Sequence, residues 1–87
     1  MSSMHLVSGS KGVRALSSLA PGTHATVQRI QPHGGDRADR LVALGVTPGA
    51  PVTMLQTRPG IVFLCDQTEL AVERAVADTI FVKLAEG

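Results

Sequence analysis

The chain has 87 residues, enough for one domain, and with 44% apolar and 17% charged residues it reads as globular rather than disordered. Eight Lys/Arg stand against seven Asp/Glu without a basic run, and two Phe come with no Trp or Tyr, which argues against a nucleic-acid binder, since phosphates need cations and bases need aromatic faces. The single cysteine, Cys65, excludes an intrachain disulfide and suits a cytoplasmic protein, and no apolar run reaches the ~20 residues of a membrane span, so neither direct membrane insertion nor a secretory signal is expected.

Residues 1–13 are rich in Ser and Gly and lack a period, which predicts a flexible leader before a domain over 14–87. Leu16 and Leu19 are three apart, as in one turn of helix or an irregular segment that pins the start of the domain to the core. Pro21-Gly22 predicts a turn, because Pro presets φ and Gly accepts a positive one. Thr23–Gln31 reads as the first strand; Ala25 and Val27 share a face, and a bulge would reconcile Ile30 with them.

Asp36–Pro51, DRADRLVALGVTPGAP, carries the most information. Asp36 is a good N-cap, and Gly45 sits where a left-handed residue ends a helix. Ala38, Leu41, Val42 and Leu44 fall on one broad face. A helix this short does not form alone in water, so that face must hold it to the strands, and Leu44→Asp is expected to damage folding. Pro48-Gly49 and Pro59-Gly60 make two more turns, the latter with the residues of a type II turn.

Strands follow over Pro51–Thr57, Ile61–Cys65, Glu69–Glu73 and Thr79–Leu84. Ile61–Cys65 is uniformly apolar, as in a strand covered on both faces. Glu69–Glu73 alternates, with Leu70 and Val72 inward, and Arg74–Ala77 reads as a helical turn. Ile80, Val82 and Leu84 share one face. Five strands and one small helix in so short a chain predict a mainly β fold, a small barrel without free edges; an open sheet crossed by a helix is the alternative.

Three stretches together resemble the ferrous iron transport protein A (FeoA) family: Leu16–Gly22 (LSSLAPG), Arg40–Leu55 with its R-L-x-x-L-G-V-x-P-G and V-x-M-L elements, and Glu69–Val82 (ELAVERAVADTIFV). The likeness covers residues 14–84. It implies an SH3-like barrel, similar also to the C-terminal domain of metal-dependent iron repressors. Two features depart from many family members: Arg58-Pro59-Gly60 runs straight into Ile61, and Val72-Glu73 stands where a Leu-Arg pair is common, with Arg74 one place later. The implied function is a non-catalytic cytoplasmic accessory that docks on the FeoB transporter, a membrane protein with a cytoplasmic G-protein domain, and regulates it. The alternative is a stand-alone metal-responsive regulatory domain of the repressor type.

No metal centre, catalytic residue or cofactor is predicted. His24, His33, Asp36, Cys65 and Asp66 lack the paired short spacings of a transition-metal site. His33 reads as a solvated loop residue and Cys65 as a buried structural thiol. Ser17 and Ser18 have no base in view, and neither a nucleophile elbow nor a Walker loop is present. The missing aromatics also exclude the proline-rich ligands of eukaryotic SH3 domains. The predicted partner surface is therefore aliphatic and turn-borne: Leu44, Gly45, Val46, Pro48 and Gly49 at the helix end, and Arg58, Pro59 and Gly60 at the hairpin tip. Small barrels with apolar edges often self-associate, so a homo-oligomer fits the sequence as well as a monomer does.

Overall fold

The computed structural model describes residues 13–31 and 36–85, the first three of the latter stretch by backbone alone. The predicted leader, apart from Val13, and the His33 loop lie outside these residues, as does the capping side chain of Asp36. Six strands make one antiparallel sheet in the order β1-β6-β2-β3-β4-β5. They are β1 (Val13–Ala15), β2 (His24–Ile30), β3 (Pro51–Gln56), β4 (Ile61–Cys65), β5 (Thr68–Val72) and β6 (Ile80–Leu84). A 3-10 turn spans Leu16–Ser18, and the helices are α1 (Asp36–Ala43) and α2 (Arg74–Ala77).

The strand missing from the sequence reading is β1. Three residues are too few to carry a period of two, and β1 exists because β6 offers an open side: Val13, Arg14 and Ala15 pair with Lys83, Val82 and Phe81. The bulge expected in β2 is present between Val27 and Arg29, with Ala25 and Val27 buried on its inner face. Two Pro-Gly turns form as their residues ask. The Thr23 N–H donates to the Ala20 carbonyl at 3.1 Å and the Ala50 N–H to that of Thr47 at 2.9 Å. Gly22 and Gly49 take φ of 90° and 95°, as the third position of a type II turn requires.

The third tip departs from expectation. The Arg58–Pro59 bond is cis and Gly60 has no positive φ, so no type II turn forms. A bulge lies between Met54 and Gln56, and the last β3–β4 pair is Gln56 with Val62. Residues 57–61 then span the gap, and this wider connection does not demand a left-handed residue.

One core serves the whole sheet. Phe63, Leu16, Met54, Ile61 and Ile80 are its largest fully buried side chains. In β4, Ile61, Phe63 and Cys65 are buried while Val62 and Leu64 are half-buried, so only one face is fully covered, not both. Among the described residues the sheet also keeps two edges, β1 and β5, instead of none. The gap between them is bridged where the 3-10 turn meets α2: Leu16 and Ala77 are both fully buried, and the Ser17 hydroxyl donates to the Asp78 carboxylate.

Helix α1 holds to this core by less than predicted. Leu41 is buried, but Val42 and Leu44, the residue that follows the helix, are 51% and 45% exposed. The helix lies at the rim of the sheet: Leu41 reaches the core, while Val42 and Leu44 look outward. Leu44 is thus not the residue that fixes helix to barrel, and the expected folding damage from Leu44→Asp does not follow.

Candidate functional site

The end of α1 is set by a Schellman motif. Gly45 adopts φ 96°. Its N–H donates to the Val42 carbonyl and the N–H of Val46 to the Leu41 carbonyl, both at 3.0 Å. Leu41 and Val46, the apolar pair that accompanies such a stop, are both buried. The chain therefore turns inward at Val46 and leaves Leu44 on the outside.

Leu44 borders a cleft of about 290 Å³ between α1 and the last residues of β5, with Arg40, Val72 and Val76 around it. A second, more open cleft of about 630 Å³ lies below the β3–β4 tip, where Pro59 and Gly60 face Val62, Ala71 and Arg74. Ala71, Val72 and Glu73 line both. The two regions singled out in the sequence, the helix end and the hairpin tip, thus stand on either side of one edge strand. The Arg74 guanidinium donates to the Thr57 carbonyl at 2.7 Å, which ties the start of α2, beside the second cleft, to the hairpin arm.

The remaining predicted positions separate. Arg58 is exposed beside Pro59 but lines neither cleft. Val46 is fully buried and presents no side chain to a partner. Pro48 and Gly49 are exposed away from the clefts, and the Gly49 N–H donates to the Val27 carbonyl at 2.8 Å, a backbone role. Sequence reasoning missed Ala71–Glu73 and Val76 as lining of these clefts. The outward alternation of Ala71 and Glu73 was readable; that their strand closes the sheet order was not.

Cys65 is buried, with its thiol 3.6 Å from the Gly45 carbonyl. Burial pushes its pKa up, and the neighbouring Asp66 carboxylate adds to the shift. A proton-holding thiol of this kind is a poor nucleophile and metal ligand. His24 is exposed, its Nδ1 2.9 Å from the Thr53 hydroxyl. Among the described residues no three His, Cys, Asp or Glu side chains gather as metal ligands would. No described helix is long and apolar enough to cross a membrane.

No curated protein matches the chain. Solved structures do. FeoA from Chlorobium tepidum is 30% identical, with 84% of this chain and 71% of that one aligned at a TM-score of 0.75. FeoA from Stenotrophomonas maltophilia, a prokaryotic SH3 domain protein solved with zinc, is 28% identical over 79% of this chain and 88% of its own, at 0.73. A manganese-dependent transcriptional repressor shares the fold at a TM-score of 0.78 and 20% identity; 84% of this chain aligns with 42% of that one. The fold is thus SH3-like. The FeoA domain model matches residues 14–84. The chain therefore belongs to the FeoA family of ferrous iron transport.

Proposed function

We propose that this protein is a non-catalytic cytoplasmic accessory of ferrous iron uptake that docks on the cytoplasmic part of the FeoB transporter and regulates it. The observation that carries docking is Leu44: an apolar side chain held half-exposed by a rigid helix stop, beside a cleft with an aliphatic lining. Exposed apolar groups of this size on rigid supports are what protein interfaces bury at their centres. Family membership supports the iron-uptake setting, and the Stenotrophomonas maltophilia relative is itself a proposed ferrous iron transport activating factor. The contact surface in this reading is Leu44, Pro59 and Gly60 with Ala71–Glu73 between them, and Arg58 at its rim.

The test is titration calorimetry of this chain against the cognate FeoB, full-length in detergent, with and without guanine nucleotide. Binding of micromolar strength or better is expected. Absence of heat and of co-purification in every nucleotide state would overturn the reading. The repressor likeness favours no second reading, since at 20% identity it speaks for the fold alone.

A further inference from the structure

The two clefts flank a strand that has one side unpaired among the described residues, and the direction of its backbone groups is decided by the register. Cys65 pairs with Thr68 across the two-residue loop Asp66-Gln67, so these two residues turn their N–H and C=O toward each other. Alternation then makes Leu70 and Val72 face β4, and Glu69 and Ala71 face away from it. The other side of β4 agrees: the Asp66 N–H donates to the Pro51 carbonyl at 2.9 Å, which turns the even-numbered residues of β4 toward β3 and the odd-numbered ones toward β5. Glu69 and Ala71 are both exposed. Each therefore offers an N–H donor and a C=O acceptor at the sheet edge.

We propose that one extended segment of the partner adds to this edge as a seventh strand. The proposal rests on the docking reading above and names the chemistry of the docked piece. Successive side chains of an added strand point to opposite faces of the sheet. One set enters the cleft against Leu44, Val72 and Val76; the other lies against Val62 and Ala71 under the hairpin tip. The segment is thus apolar at its centre on both faces. Its ends are specified by charge. Among the described residues that line the clefts near the end of β5, Arg40 and Arg74 stand against one carboxylate, Glu73, while Glu69 stands toward the start of the strand. An acidic residue belongs beside the arginines and a basic one beside Glu69. Opposite charge across the contact also fixes the register, which a uniformly apolar strand would leave free to slip.

Ala71→Pro separates this from docking by side chains alone. Residue 71 donates nothing to β4, and proline is tolerated in an edge strand whose N–H faces out. The variant loses only the outward donor and places a ring where the added strand would lie. Ala71→Ser keeps the donor and serves as control. In calorimetry against full-length cognate FeoB, Ala71→Pro should bind about tenfold or more weakly, as expected for one lost hydrogen bond plus a clash. Ala71→Ser should bind within about threefold of the parent. Amide exchange provides a readout that needs no variant: the Glu69 and Ala71 amides should slow at least about tenfold on complex formation, as newly bonded amides do. Parent-like binding by folded Ala71→Pro, or unchanged exchange at both amides in the complex, overturns the added strand and leaves docking standing. Failure of the parent chain to bind FeoB overturns docking itself. A dimer of this chain alone that Ala71→Pro splits would assign the edge to a second copy and overturn the partner segment.

Discussion

Leu44→Asp now separates folding from docking. Leu44 is 45% exposed, so about half of its side chain is covered in the free protein. Full burial of a leucine stabilises by about 1.5–3 kcal/mol, so the covered half accounts for ~1 kcal/mol. A carboxylate at the negative end of α1 adds an unfavourable ~0.3–1 kcal/mol. The sum, about 1–2 kcal/mol, is well inside the ~5–15 kcal/mol typical of a domain and corresponds to a drop in Tm of roughly 4–16 °C. The variant should therefore fold at 25 °C, with parent-like far-ultraviolet dichroism. Docking is a different matter. It would have to bury the other half of a leucine that is no longer there, and to strip water from a carboxylate beside an apolar cleft, so FeoB affinity should fall by tenfold or more. Calorimetry and a thermal melt on the same preparation check both. An unfolded Leu44→Asp would refute the rim position of α1. A folded variant with parent affinity would refute the cleft as a docking surface.

Three further outcomes follow from the same geometry. Gly45→Ala meets no atom within 4 Å of the new Cβ, so its cost is purely that of a left-handed φ, about 1–2 kcal/mol, and a chemical melt matching the parent's would show that the helix stop does not need it. Arg58→Glu, at an exposed site, should leave Tm within a few degrees while weakening FeoB binding, and normal binding would remove Arg58 from the rim of the interface. Cys65 holds its proton more tightly folded than unfolded, so its contribution is complete below the ordinary thiol value of 9.0 and is lost as pH rises through the higher folded value. Tm should fall above about pH 9 in the parent and less steeply in Cys65→Ala; equal slopes would show that other groups govern the alkaline limb.

What could be read from the sequence was local. Pro21-Gly22 and Pro48-Gly49 announce their turns because few backbones suit both residues, and Gly45 announces a helix stop for the same reason. Pro59-Gly60 uses the same pair and makes a different turn, since the residues permit a type II geometry but the bulged arm of β3 decides the span. The inward positions of β2, β5 and β6 were legible from the period of two. What resisted was relational. Leu44 and Val42 have the spacing of buried residues, and only the offset of α1 from the sheet leaves them exposed. β1 has no signal of its own, and the edge position of β5 depends on which strands pair elsewhere. The candidate site was half legible for that reason: the two banks of its clefts were marked by turn residues, and the strand between them looked like any other.

The place of β6 bears on how the domain is made. The last strand of the sequence lies between the first two, and β1 and β2 have it as their common neighbour. A ribosome delivers β1 and β2 long before the strand that joins them, so β1 has no strand to pair with until β6 emerges. The stretch β2 through β5 can pair in order as it emerges, while β1 must wait. Contacts so distant in sequence form slowly, because the long intervening loop must close first. Assembly is thus a clasp closed when β6 arrives, and a nascent chain stalled before Ile80 would carry the proposed docking edge already formed on a body that has not yet shut.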